Sequence, residues 1–219
     1  MGYLASAIVW ESIQEMARTR RYEFPLASAL RAQRLGELIG TSTCMSRELE
    51  VEYVEFDLDL CSLDAGVEAA RLVLETAGAP AGSEFRLQQD GGERIIRFGR
   101  HEGLAVYLDG INLPDEVYDT CTCDGLAVLI SGELAAVGGE IRGSWVGRAE
   151  TSIYMYGPNA EHMFDAIEPL LAVYPLCRNA RVVIRHGNPD LNPRTVRLPS
   201  HHGIEFARMV FKGGQHGTG

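Results

Sequence analysis

Cys121 and Cys123 are the most closely spaced thiols in the chain, with a single residue between them. If a helix begins near Asp124, both thiols lie at its N-terminus, where the helix dipole lowers the pKa of a thiol. The carboxylates of Asp119 and Asp124 oppose this effect because they repel a thiolate. The spacing also differs from the Cys-x-x-Cys of redox and zinc sites. We therefore interpret the pair as two buried cysteines and predict no metal and no cofactor.

Histidine offers one candidate for acid–base chemistry, His162. It follows Asn159, a predicted helix cap, and a helix N-terminus disfavours the imidazolium. A neutral His162 could act as a general base or as a hydrogen-bond partner. The alternative is a solvent-facing residue in a first helical turn. Asp109, at the end of a predicted strand, and Glu150, at the start of another, complete the catalytic candidates.

Carboxylates and aromatic rings together suggest a binding surface. Glu55, Asp57 and Asp59 alternate with apolar residues and therefore share one face of a predicted strand. Tyr154 and Tyr156 share a strand face for the same reason. The candidate ligand-binding residues are Tyr107, Asp109, Trp145, Tyr154, Tyr156, Glu55, Asp57 and Asp59. Such a face would bind a flat cation through charge and cation–π contact. The alternative is the solvent-exposed face that antiparallel sheets normally have.

The elements that position these residues begin with a segment, residues 1–48, that we predict to be helical. Ile8, Ile13 and Met16 recur at helical spacing, and a second helix is expected over 28–39 after a break at Pro25. We expect two helices here, ahead of the first strand.

From residue 50 the pattern predicts the order β-α-β-β. Apolar residues alternate up to Leu60, which is typical of a strand with one buried face. A helix is expected over 63–77, and Asp90-Gly91-Gly92 predicts a hairpin between strands 84–89 and 93–98. This unit covers residues 50–99.

The same order recurs in the second half of the chain and continues further. The predicted elements are a strand at 104–109, a helix at 124–137, a hairpin of strands 140–146 and 151–156, a helix beginning after Asn159, and a strand at 181–185. Residues 103–186 therefore have the βαββαβ order of a ferredoxin-like unit. An extension over 187–212, with one more strand at 204–211, and a disordered tail over 213–219 are expected to follow.

This order of elements over residues 50–186 resembles the tandem strand-helix-strand-strand modules of the GyrI-like ligand-binding fold, and ferredoxin-like α+β domains generally. The resemblance implies an α+β fold of tandem βαββ units, and the two helices predicted from residues 1–48 precede these units. It does not imply an activity, because such folds serve many functions.

Charge and composition narrow the function classes. With 30 acidic and 20 basic residues, the chain has a formal net charge of −10, which argues against nucleic-acid binding. Five cysteines, the lack of a secretory leader and the lack of an apolar run of about 18 residues predict a cytoplasmic protein that binds no membrane. Lys212 is the only lysine, and this bias towards arginine is typical of a high-GC bacterial genome.

Two hypotheses about function follow. The first is a non-enzymatic binding protein, regulatory or inhibitor-like, that holds a basic protein or a cationic ligand on its acidic sheet face. The second is a cofactor-independent enzyme that acts on a small aromatic or cationic molecule in a pocket between the βαββ units. Nucleotide-binding and nucleophile motifs are absent from the sequence. A third possibility is a structural domain that forms a homodimer.

Overall fold

The computed structural model describes residues 2–89, 92–187 and 193–199. Within these residues the strands are β1 (Tyr3–Val9), β2 (Gly36–Met45), β3 (Val51–Leu60), β4 (Ser83–Gln89), β5 (Gly92–Phe98), β6 (Glu102–Asp109), β7 (Glu140–Val146), β8 (Glu150–Gly157), β9 (Arg181–Arg185) and β10 (Arg194–Arg197). The α-helices are α1 (Glu15–Arg18), α2 (Phe24–Ala32), α3 (Leu63–Thr76), α4 (Asp115–Thr120), α5 (Cys123–Ala135) and α6 (Ala160–Leu171). A π-helical turn (Thr19–Glu23) joins α1 to α2.

The strands form two antiparallel sheets with the same topology. The first sheet has the order β2-β3-β1-β4-β5, and the second has β7-β8-β6-β9-β10. Each sheet belongs to a ferredoxin-like βαββαβ unit that is extended by a fifth strand at one edge. We call residues 3–98 the first unit and residues 102–197 the second unit. The predicted α+β fold of tandem units is confirmed.

The N-terminal segment differs from the predicted pair of helices, because its first element is β1. This strand lies between β3 and β4 in the middle of the sheet. Ala7, Ile8 and Val9 are all buried, so the strand shows no alternation of apolar and polar residues. The helical spacing that included Met16 arose by chance, since the Met16 side chain is 71% exposed.

The second predicted helix, residues 28–39, was wrong over its last part. Helix α2 begins at Phe24, with Pro25 in its first turn, and the chain then enters the edge strand β2 at Gly36. Two irregularities in the pairing of β2 with β3, at Leu38/Gly40 and at Cys44/Met45, interrupt the alternation that would mark a strand. The first unit is therefore a complete βαββαβ unit and not an isolated βαββ segment.

The second unit agrees closely with its predicted elements. Asn159 caps α6 by accepting a hydrogen bond from the backbone N–H of His162 at 2.9 Å, and Thr122 caps α5 in the same way. The predicted extension over 187–212 contains the additional strand β10, which pairs with β9. The predicted strand at 204–211 and tail at 213–219 lie outside the described residues.

Each unit buries one face of its sheet against its own helices. The two resulting cores are separate, and a third, smaller cluster lies on the opposite face of the second sheet. That cluster consists of Ala105, Tyr107, Tyr154, Tyr156 and Val183, with Trp145 against it. Within the described residues, no helix combines the length and apolar character needed to cross a bilayer.

Candidate functional site

The tyrosine-rich face of the second sheet is covered by loops of the first unit. Tyr107 and Tyr154 each donate a hydrogen bond of 2.6 Å from their hydroxyl groups to Oε1 of Glu50, just before β3. The Tyr156 hydroxyl accepts a 2.8 Å hydrogen bond from the backbone N–H of Ser12. Burial raises the pKa of Tyr107 and Tyr154, and raises that of Tyr156 to about 12. These phenols are therefore protonated hydrogen-bond partners at neutral pH.

A buried ionic network also joins the two units. The Arg142 guanidinium, on β7, lies 3.1 Å from Glu11 Oε2 and donates a 2.8 Å hydrogen bond to the Gly78 carbonyl oxygen. The side chains of Arg142 and Glu11 are 1% and 0% exposed. Burial raises the pKa of Glu11, although Arg142 opposes the shift, and the Tyr22 hydroxyl donates to the same carboxylate. The second Glu11 oxygen, Oε1, has no hydrogen-bond partner in the described part of the chain.

The network continues from Arg142 to His101, just before β6. Arg142 Nη2 lies 2.8 Å from His101 Nδ1. Burial, and then the positive charge of Arg142, lower the pKa of His101. Gly78 packs against this contact, since a Cβ at that position would lie 2.5 Å from Arg142 Nη2 and 2.8 Å from His101 Cε1.

Between the units lies a cleft of about 540 Å³, here called the interunit cleft. Its walls include three aromatic residues, two histidines, the carboxylates of Glu50 and Glu52, and one arginine. The aromatic residues are Trp10, Tyr107 and Tyr156, and the basic residues are His101, His186 and Arg185. The volume lies in the range of small-molecule sites, which combine apolar walls with a few polar groups.

Arg185, at the end of β9, is the charged donor of this cleft. It is half-buried and pairs across the sheet with Gly103. A Cβ at Gly103 would lie 3.3 Å from the Tyr156 ring and 3.7 Å from Arg185 Cβ, so the glycine leaves room for both side chains. Among the described residues, no carboxylate forms an ion pair with Arg185.

Of the ligand-binding residues predicted in the second unit, some line the interunit cleft and others lie outside it. Tyr107 and Tyr156 line the cleft, whereas Tyr154 does not line it and donates to Glu50, which does. Trp145 lies beside this cluster, where its indole N–H donates to the Glu48 carbonyl oxygen at 3.1 Å. The tyrosine face, for which a solvent-exposed sheet face was the alternative interpretation, is thus largely closed by the first unit.

The two carboxylates predicted as catalytic candidates, Asp109 and Glu150, lie at the other end of these strands and do not line the cleft. Although burial opposes the shift, hydrogen bonds from the backbone of Ile111 and Asn112 hold the pKa of Asp109 below its usual value. The hydrogen bond from Arg181 lowers the pKa of Glu150. Both carboxylates therefore have protein partners. Asp109 accepts hydrogen bonds within its own loop, and Glu150 forms an ion pair with Arg181.

The remaining candidates of the second unit lie away from the cleft. His162 is exposed on α6. Cys121 is buried in the core, and burial, followed by the charge of Asp124, raises the pKa of Cys123. Within the described residues, no group of three or more His, Cys, Asp or Glu side chains is arranged to hold a metal ion.

The acidic strand of the first unit forms a separate surface. Glu55, Asp57 and Asp59 lie on the face of the first sheet opposite its helices, and Asp57 accepts a 3.0 Å hydrogen bond from the Ser6 hydroxyl. Glu55 and Asp57 line a shallower cleft of about 400 Å³, together with Glu93. The acidic residues and the tyrosines therefore do not form the single carboxylate–aromatic site that we expected, because they belong to different sheets.

Several residues of the interunit cleft were missed by the sequence analysis: Trp10, Glu50, His101 and Arg185. Each lies at the end of a strand or in a loop, and they come together only when the two units pack. One local signal was present, because Glu11 interrupts an otherwise apolar run at the N-terminus. A charge in such a position is buried only with a partner, and that partner is Arg142.

Comparison with known proteins gives no family. No protein-family model matches the chain, and no curated protein matches it. A regulatory subunit of aspartate kinase from Thermus thermophilus is 14% identical, with 76% of this chain and 92% of that chain covered at a TM-score of 0.24. An unknown protein from Galdieria sulphuraria is 10% identical, with coverages of 84% and 96% and a TM-score of 0.24. The Sex-lethal RNA recognition domains 1 and 2 from Drosophila melanogaster are 17% identical, with coverages of 76% and 92% and a TM-score of 0.21. Likenesses this weak carry no argument about function.

Proposed function

We propose that this chain is a small-molecule-binding protein of regulatory type, whose ligand lies in the interunit cleft and presents an anionic group to Arg185. The observation that carries the proposal is the half-buried Arg185, which has no ion-pair partner among the described carboxylates. Glu50, in the wall of the same cleft, attracts Arg185 without forming an ion pair with it, and a ligand carboxylate or phosphate would supply a direct partner for the guanidinium.

The other walls of the cleft indicate the remainder of the ligand. Trp10 and Tyr156 offer apolar ring surface, and Trp10 is held by Tyr53, whose ring centroid is 4.8 Å away. The Glu50 carboxylate already accepts hydrogen bonds from two tyrosine hydroxyls, so it has less capacity to bind a cationic ligand. The expected ligand is therefore a small apolar or aromatic molecule that carries one oxyanion. This differs from the cation that the acidic composition suggested.

Three benzene derivatives of similar size test the proposal. Benzoate carries a negative charge, benzamide is neutral and benzylamine is positive at pH 7. We expect chemical-shift titrations to show saturable binding of benzoate at the cleft, with benzamide at least about tenfold weaker, because hydrogen bonds to charged groups contribute about 1.5–3 kcal/mol. Tighter binding of benzylamine than of benzoate would contradict the anionic assignment.

The matched variants are Arg185→Gln and Arg148→Gln. Both remove one positive charge, but Arg148 is exposed in the turn between β7 and β8. Arg185→Gln should weaken benzoate binding at least about tenfold, whereas Arg148→Gln should leave it unchanged. Equal effects of the two substitutions would mean that only the net charge matters.

A second candidate function rests on the acidic face of the first sheet, which suits a basic protein or a cationic ligand. Glu55, Asp57 and Glu93 line its 400 Å³ cleft, and Leu4 and Ile39 beside them are 61% and 57% exposed. Acidic groups next to exposed apolar side chains are typical of a surface that binds a basic, partly apolar segment.

A pentalysine peptide tests this second candidate. Glu55→Gln with Asp57→Asn should weaken its binding at 50 mM salt more than Asp115→Asn with Glu116→Gln, which removes two exposed charges from α4. Equal weakening by the two double variants would assign the binding to the net charge of the molecule and remove this candidate.

A further inference from the structure

His101 lies between the buried Arg142 and the interunit cleft, and the contact with Arg142 decides where its proton is. Arg142 Nη2 and His101 Nδ1 are 2.8 Å apart. A guanidinium has only donors and remains protonated at any physiological pH. His101 Nδ1 must therefore accept this hydrogen bond with its lone pair, so the ring is neutral and carries its proton on Nε2.

The opposite edge of the ring is available to a ligand. Within the described residues, His101 Nε2 has no hydrogen-bond partner. It is also not one of the fully buried polar atoms, so its surface is accessible. His101 is half-buried and lines the cleft. The ring is held in this orientation because Gly78, with φ of 86°, packs against its Cε1 and Nδ1 atoms and leaves no space for a side chain.

The charges that face His101 support the neutral form. Arg142 and Glu140 belong to β7, and Arg21 belongs to the π-helical turn. Arg142 and Arg21 disfavour a positive ring, Glu140 favours one, and burial adds to the effect of the arginines. Glu140 is itself paired with both arginines, at 3.0 Å from Arg142 and 2.8 Å from Arg21.

We propose that His101 is a specificity-determining residue of the interunit cleft, held by Arg142 as a fixed Nε2–H donor that binds an acceptor oxygen of the ligand. This inference rests on the proposed function and refines the ligand class. The ligand presents an oxyanion to Arg185 and a hydrogen-bond acceptor to His101. A molecule with an oxyanion for Arg185 and an acceptor oxygen for His101, on the same group or on separate groups, satisfies this requirement, and a cation or a hydrogen-bond donor at His101 does not.

The first test needs no ligand. Two-bond proton–nitrogen NMR spectra of ¹⁵N-labelled protein, compared with His101→Gln, identify the His101 ring signals. We expect an unprotonated Nδ1 and a protonated Nε2 at pH 7.5, and a titration midpoint below the ordinary value of about 6.5. A ring that titrates with a midpoint near the ordinary value of about 6.5, or one that carries its proton on Nδ1, would overturn the inference.

The second test uses benzoate and a pair of isosteres. His101→Asn retains an acceptor near the Nδ1 position and loses the donor to the cleft, whereas His101→Gln retains an N–H near the Nε2 position. We expect His101→Asn to weaken benzoate binding about tenfold and His101→Gln to weaken it less than about threefold. Equal affinities of the two variants would overturn the role of His101 in binding.

The two tests separate the inference from the proposed function. If wild-type protein binds none of the three benzene derivatives while the NMR spectra show the fixed Nε2–H form, the binding function fails and the geometry at His101 stands. If benzoate binds through Arg185 but the His101 ring titrates normally, the proposed function stands and the inference about His101 is wrong.

Discussion

At the scale of single residues, Arg142 connects the two units more than any other described side chain. It contacts Glu11 and Gly78 of the first unit, and His101 between the units. Its guanidinium also lies 5.2 Å from the centroid of the Tyr156 ring. Such a network stabilises the fold only while every charge has its partner, because an unpaired buried charge costs several kcal/mol.

We expect Arg142→Met to lower the free energy of unfolding by about 3 kcal/mol at pH 7, because Glu11 then remains buried without a counterion. The loss should become smaller at acidic pH. Burial holds the pKa of Glu11 above its unfolded value, so the folded protein binds the additional proton, and stability falls as pH rises through this window. Removing Arg142 raises the pKa of Glu11 further, so the stability of the variant should depend more strongly on pH than that of the wild-type protein. Urea unfolding of the wild-type protein and of Arg142→Met at pH 5 and pH 7 measures the loss of stability at each pH.

The control for this prediction is Arg148→Met, which removes an exposed arginine and should change stability by less than about 0.5 kcal/mol at either pH. A loss in Arg142→Met that grows towards acidic pH would mean that Glu11 is not the group left without a partner.

At the scale of elements, the link between β5 and β6 is set by backbone hydrogen bonds and by one glycine. Residues 100 and 101 both donate to the Ala79 carbonyl oxygen, and the Ala81 N–H donates to the His101 carbonyl oxygen at 2.7 Å. Gly99 has φ of 92°, and a Cβ there would lie 1.9 Å from the Pro80 carbonyl oxygen. This close approach positions His101 at the cleft.

We expect Gly99→Ala to destabilise the protein by roughly 1–3 kcal/mol, because both the positive φ and the backbone contact oppose a side chain. Gly132→Ala is the matched substitution. It lies in α5 with no atom within 4 Å of the added Cβ, so it should stabilise the helix by roughly 0.5–1 kcal/mol. Thermal unfolding of both variants measures the difference, and a shift of the same sign in both would contradict this account of Gly99.

At the scale of the whole molecule, the contacts between the units should make them unfold together. Glu50 of the first unit accepts hydrogen bonds from two tyrosines of the second, and Arg142 of the second unit pairs with Glu11 of the first. Opening this interface would exchange these hydrogen bonds for bonds to water, and each bond between a tyrosine and the Glu50 carboxylate, or within the Arg142–Glu11 pair, contributes about 1.5–3 kcal/mol to the free energy of unfolding.

The two tryptophans belong to different units and both lie where the units meet, since Trp10 lines the interunit cleft and Trp145 of β7 donates to the Glu48 carbonyl oxygen. We expect Trp10→Phe and Trp145→Phe each to show one urea transition by fluorescence, coincident with the transition by circular dichroism of the same variant. In both backgrounds Glu50→Ala should lower the midpoint, because two tyrosine hydroxyls lose their acceptor. Transitions that separate in the parent variants would show that the units fold independently.

The parts of the fold that could be predicted are those in which local pattern and tertiary environment agree. Strand β3 has one buried face, α6 has a cap at Asn159 and an apolar stripe, and both were recognised from the sequence. Strand β1 was missed because neighbours on both sides of the sheet, and packing on both faces, remove its alternation. Strand β2 was missed because irregular pairing shifts its pattern.

By itself, the sequence determined the α+β class, the recurrence of βαββ order, and the face on which Tyr154, Tyr156, Glu55 and Asp57 each lie, since these depend on periods of two and 3.6 residues along the chain. Only the tertiary structure decided that the tyrosines meet Glu50, that Arg142 pairs with Glu11 131 positions away, and that Arg185 and His101 share a cleft. The physical reason is that local pattern fixes which face of an element is buried, while the packing of one unit on another decides which polar groups meet there. The candidate site is formed by contacts between residues that are distant in the sequence, so it could not be predicted from local pattern.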